Sequence, residues 1–159
     1  MEIEFPIEFI VAGMPVSFQG KIAKAKAEWK DRVKAASSTV LPIPHFASGD
    51  RIAATLFYFP DGPMQGDVDN IVKLVLDGMS RHVYINDSQV ERIVVQKFEP
   101  GSVFEFASPS AKLEEAVSHQ KPVLYVRLSD DPSKTRNEIR IARSRGTREH
   151  RAPARGGGL

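Results

Sequence analysis

The chain has 159 residues, 42% hydrophobic and 26% charged, as expected for one globular domain with a single sizeable core. It has no cysteine, which excludes disulfides, thiolate zinc sites and cysteine nucleophiles and is compatible with a reducing compartment. The net charge of +2 hides an asymmetry: from Pro132 onward eight Lys/Arg stand against Glu138 and Glu149, whereas residues 1–131 hold 14 basic and 18 acidic side chains. A slightly acidic body with a basic tail suits a polyanionic partner, although basic tails also serve solubility alone.

Residues 2–12, with Ile3, Phe5, Ile7, Phe9 and Val11 alternating, predict a first strand that Gly13-Met14-Pro15 breaks. The presence of Glu2, Glu4 and Glu8 in this strand is unlike a signal peptide. Residues 20–36 have helical spacing: Ile22, Trp29, Val33 and Ala36 share a face with Trp29 as core anchor, and Lys21, Lys24, Lys30 and Lys34 lie off it. Those lysines suit phosphate contacts or simply a solvated face. Residues 51–59 are apolar on both alternations, as in a strand covered on both sides, and the run is too short to cross a bilayer. A cytoplasmic protein without a membrane partner is expected. A helix over 67–80, a strand over 89–98, a short helix near 111–119 and a last strand over 122–128 follow. This order predicts an α/β (α+β) single domain, a mixed sheet packed against helices, over residues 1–131. Residues 132–159 lose apolar periodicity and end in Gly156-Gly157-Gly158-Leu159, so a basic flexible tail is expected.

The segment richest in chemistry is Gly66-Asp67-Val68-Asp69-Asn70-Ile71-Val72-Lys73, continuing to Asp77. Asp67 stands where a helix cap is favoured, and Asp69, Lys73 and Asp77 recur at helical spacing along one side. Two carboxylates and an ammonium can therefore converge at the first turn. The same residues are also ordinary helix stabilisers: a cap, an acid near the positive helix end and an Asp69–Lys73 pair. A third carboxylate shifts the balance. Asp87, in Asn86-Asp87-Ser88-Gln89, enters the next strand after a short connection and can return beside Asp67. Three converging carboxylates repel one another unless a cation neutralises them, and hard oxygen donors suit Mg²⁺ or Mn²⁺.

This pattern resembles RusA-type Holliday junction resolvases. The likeness rests on Asp67-Val68-Asp69-Asn70, on Lys73 four residues after the second aspartate, and on Asn86-Asp87 running into Gln89-Val90. Asp77 and Lys97 also fall at family-like spacing, and weaker likeness reaches the first strand, the Gly13-Met14-Pro15 turn and the first helix. Asn86 departs from the acidic residue of the family's pair, and the basic tail has no family counterpart. The resemblance implies a homodimeric, often prophage-associated endonuclease of DNA recombination and repair. It would bind four-way junction DNA and make paired symmetric nicks with Mg²⁺, for which Mn²⁺ can substitute. It implies Asp67, Asp69 and Asp87 as metal ligands, with Lys73 completing the catalytic set. Lys21, Lys24, Asn70, Lys73 and Lys97 are the candidate DNA contacts.

The alternatives are a junction-binding protein without chemistry, a Mg²⁺-dependent phosphoesterase on a small nucleotide, and a scaffold in which the acidic motif is only a cap. No phosphate loop of the P-loop type is present. His45, His82, His119 and His150 show no ligand or triad spacing, with His82 read as a surface or loop residue, and Met14, Met64 and Met79 read as packing residues.

Overall fold

The computed structural model describes residues 1–134. Apart from residues 132–134, the expected basic tail therefore lies outside the described residues.

Strand β1 spans Ile7–Ala12, later than the alternation at residue 2 suggests. Pro6 has no N–H to donate, so the ladder begins after it. Helix α1 is Ala23–Ser38. It buries Trp29 and Val33 as predicted, but Ile22 sits at the N-cap in an extended conformation and is 69% exposed. A residue outside the helical turn does not share its buried face, which corrects the assignment of Ile22. Met14 is likewise exposed rather than packed, whereas Met79 is fully buried and Met64 packs against the core.

Strand β2 (Ile52–Phe59) is followed by a 3-10 turn at Val68–Ile71 and then by helix α2, Val72–Met79. A second 3-10 turn, Asp87–Gln89, leads into strand β3, Val90–Lys97. Helix α3 (Ala111–Ser118) and strand β4 (Val123–Ser129) complete the domain. The sheet order is β1-β4-β2-β3. β4 runs antiparallel to both β1 and β2, while β2 and β3 are parallel, with Ile52 opposite Val90 and Tyr58 opposite Lys97. The predicted mixed-sheet α+β domain is the fold observed.

Alternation along β2 and β4 builds two cores on opposite faces of the sheet. Leu56, Tyr58, Leu124 and Val126 face α1 and α2 with Trp29, Val33, Val75 and Met79. Phe57, Phe59, Val123 and Tyr125 face α3, joined by Phe98 and the half-buried Phe104 and Phe106. The aromatic face is closely knit; Phe59 and Phe98 stack with centroids 5.1 Å apart.

Parallel pairing of β2 with β3 requires a crossover, and α2 supplies it. The chain leaves the C-terminal end of β2 near Asp61, turns through Asp67 into α2, and returns to the start of β3 past Asp87. Every candidate acidic residue therefore lies on this one connection.

Candidate active site

Lys73 is the centre of the site. It lies on the second residue of α2, and its Nζ donates to Asp77 Oδ1 and to Asp87 Oδ2, both at 2.7 Å. The two carboxylates hold the ammonium charged, raising the Lys73 pKa through hydrogen bonds to Asp77 and then Asp87. Tyr84 underlies this group. Its hydroxyl lies 2.8 Å from Leu76 O and 3.2 Å from Asp87 Oδ1. It has one proton to give, and the shorter contact to the carbonyl takes it. Burial, reinforced by Asp87, pushes the Tyr84 pKa far up, so the ring stays neutral beside the carboxylate.

Asp87 is set by its own turn. Asn86 caps the 3-10 helix, its side chain accepting from Ser88 N at 2.8 Å. The Gln89 side chain accepts from Ile85 N and Asn86 N and donates to Ser48 O and Asp50 O. The resemblance expects an acidic residue at position 86. The amide found there has a structural task, orienting the turn that presents Asp87.

Asp67 and Asp69 are placed differently. Asp67 takes the predicted N-cap position with extended backbone, but its side chain makes no cap hydrogen bond. Asp69 lies in the 3-10 turn and does not pair with Lys73, contrary to the helical spacing. The reason is local geometry. A 3-10 turn advances about 120° per residue instead of about 100°, so Asp69 and Lys73 diverge by roughly 100° rather than about 40°. Neither carboxylate is spent on a described ion pair, which weakens the reading of this motif as a mere helix stabiliser.

Asp87 meets Lys73 and Asp77, and among the described residues no three His, Asp or Glu side chains form a ready-made metal cluster. Asp87 is engaged by the Lys73 ammonium, while Asp67 and Asp69 stand at the turn just before α2. The chemistry of the donor set nonetheless fits Mg²⁺, since Asp67, Asp69 and Asp87 offer only hard carboxylate oxygens.

Asp67 and Asn70 line a cleft of about 230 Å³ at the C-terminal end of β2, with Met14, Pro60, Asp61 and Met64 among its other walls. Asp61 went unnoticed in the sequence, where Asp61-Gly62 reads as a turn. Tyr58 reaches the same cleft, its pKa pushed up to about 12 by burial and by Asp61. The chain after β1 forms the facing wall: Phe18 N donates to Asn70 O at 2.9 Å, and Lys21 follows three residues further along the exposed chain. Lys24 stands one turn into α1, 3.8 Å from Glu28 and largely exposed. Lys97 pairs with Glu99 at 2.7 Å, and Glu99 also accepts from Met64 N, so Lys97 belongs to the support of the cleft loop.

Carboxylates on a turn, an ammonium one turn on and a third acid across a βαβ crossover suit phosphodiester hydrolysis. The family model described as endodeoxyribonuclease RusA matches residues 17–103, a stretch that holds all of these groups. The chain belongs to the RusA endodeoxyribonuclease family, a class of DNA-cleaving nucleases. No curated protein matches it.

Proposed function

We propose that the protein is a Mg²⁺-dependent endonuclease that resolves four-way DNA junctions by paired symmetric nicks, working as a homodimer. The observation that carries this reading is the Lys73 ammonium poised on α2 beside the acidic turn, within the stretch that the family model matches. Two equivalent sites related by a two-fold axis match the symmetry of a junction that needs two cuts.

Asp67, Asp69 and Asp87 would hold the ion, which when bound supplies charge neutralisation and a more acidic water. Lys73 donates to a non-bridging oxygen of the attacked phosphate, where negative charge grows during displacement. Asp77 and Asp87 keep that ammonium charged and aimed. Asn70, fixed through its backbone carbonyl by Phe18, offers an amide to the same phosphate or its sugar. Lys21 and Lys24 neutralise flanking phosphates. No described helix is long and apolar enough to cross a membrane.

The test is Asp69→Asn in a synthetic four-way junction assay with Mg²⁺. Junction binding should persist while nicking falls on the order of 100-fold or more. Undiminished nicking would sink the metal assignment. A mononucleotide ester as competing substrate separates this reading from a small-molecule phosphoesterase, since only junction DNA should be cut.

A further inference from the structure

We propose that the cleft between the turn after β1 and the loop after β2 is a nucleobase-binding subsite that receives one unstacked base next to the phosphate being cut. This deepens the nuclease reading and rests on it for the position of that phosphate.

The size comes first. At about 230 Å³ the cleft falls below the roughly 300 Å³ lower bound usual for drug-sized ligands, so it suits a single heterocycle and excludes a duplex. Its walls are of the right kind. Met14 and Pro15 on one side and Pro60, Pro63 and Met64 on the other make an apolar slot. Proline rings are rigid and lose no rotamer freedom on contact, and thioether sulfur packs well against aromatic rings.

The polar atoms choose between ligands. No Lys or Arg lines the cleft, whereas Asp61 and Asp67 both do. A phosphate would meet two carboxylates and no counter-charge; a neutral base would not. Tyr58 supplies the second, independent observation. Its residue is 2% exposed, it lines the cleft, and its hydroxyl has no hydrogen-bond partner among the described residues. That hydroxyl is open to the water of the cleft, so a base edge can replace this water and make the bond in its place. Asp61 can only accept, so it favours bases that present an exocyclic amino group at the edge it meets. Asp67 and Asn70 share the lining, so a base seated here leaves its phosphate at the acidic turn. Extrusion of a base is least costly where stacking is already interrupted, as at the crossover of a four-way junction.

The experiment uses the methionines as reporters on the full chain. With methyl-labelled methionine, NMR resolves Met1, Met14, Met64 and Met79, of which Met14 and Met64 line the cleft and Met79 is fully buried elsewhere. Titration with deoxycytidine, deoxyguanosine, deoxyadenosine and thymidine should move the Met14 and Met64 methyls by ring-current shifts that saturate in the millimolar range, leaving Met1 and Met79 still. Nucleosides with an amino group should bind more tightly than thymidine, and Asp61→Asn should erase that preference. Met14→Trp, a change at an exposed position, should fill the slot and weaken every nucleoside at least about tenfold. The proposal is overturned if Met14 and Met64 do not move, if all four methyls move alike, or if deoxyribose 5-phosphate shifts them as strongly as a nucleoside. None of these outcomes depends on cleavage. Loss of the nuclease reading, scored by Asp69→Asn, is therefore distinguishable from loss of the subsite.

Discussion

Lys73 illustrates how little energy separates a structural ion pair from a functional one. Its side chain is 46% exposed, and those of Asp77 and Asp87 are 27% and 38% exposed. Pairs this open to water contribute about 1 kcal/mol or less. A network worth so little to stability can hold an ammonium in position and still release it to a phosphate. Lys73→Met should therefore change the unfolding free energy by no more than about 1 kcal/mol in urea denaturation. Junction nicking by the same variant should drop on the order of 100-fold. A large loss of stability with nicking preserved would mark Lys73 as a structural residue. The Lys73–Asp77 spacing was visible in the sequence as an i,i+4 pair. That Lys73 turns toward Asp87, and away from Asp69, was not, because the helix period there gives way to a 3-10 turn over four residues. Asn86 changed meaning in the opposite direction. It stood out as a departure from the family pattern, and the structure gives it a capping bond to Ser88 that an acidic residue would also make.

Elements are held to one another by a few close approaches. Gly78 lets α2 lie directly on α1: a Cβ there would come within 2.8 Å of Val33 Cβ and 2.9 Å of Lys30 O. Helix propensity alone favours Gly78→Ala by about 1 kcal/mol. A backbone carbonyl cannot move aside as a flexible side chain can, so overpacking wins. The variant should be destabilised by about 1–3 kcal/mol in chemical denaturation. The same two helices are tied at their ends by His82, whose Nε2 lies 3.0 Å from Ser38 Oγ. Ser38 spends its proton on Lys34 O at 2.8 Å, so the imidazole is the donor and the neutral form suffices. Burial lowers the His82 pKa, helped by His45 and Lys34. The folded state therefore resists the proton that the unfolded chain accepts near pH 6.5. This contribution is complete above that pH and is lost as pH falls below it. Thermal unfolding followed from about pH 7.5 to about pH 5.5 should show the midpoint falling, and His82→Gln should flatten that part of the profile. The described carboxylates held below their usual range, Glu91, Glu99 and Asp131, titrate in more acid solution and leave this window to histidine.

At the scale of the whole molecule, charge is divided between a body and a tail. From Pro132 onward eight Lys/Arg stand against two Glu, and most of that stretch lies outside the described residues. Its expected contribution is to DNA binding of any shape. Deleting residues 135–159 should weaken binding to junction and duplex alike and flatten the dependence of affinity on salt, because fewer phosphate counterions are released. An unchanged salt slope would leave the tail without a role on DNA. The sequence by itself determined the strands, the helices and the residue types of the site, since alternation, helical period and turn residues are local signals. It also determined the family, through a motif of about 20 residues running from Asp67 to Asp87. Only the tertiary structure decided which of those residues meet. The parallel pairing of β2 and β3 makes α2 a crossover, and that crossover carries Asp87 back to Lys73, while Asp67 lines the cleft at the C-terminal end of β2. Strand pairing is set by contacts distant in the chain, so neither the Lys73–Asp87 pair nor the cleft with Tyr58 and Asp61 could be read from spacing along it.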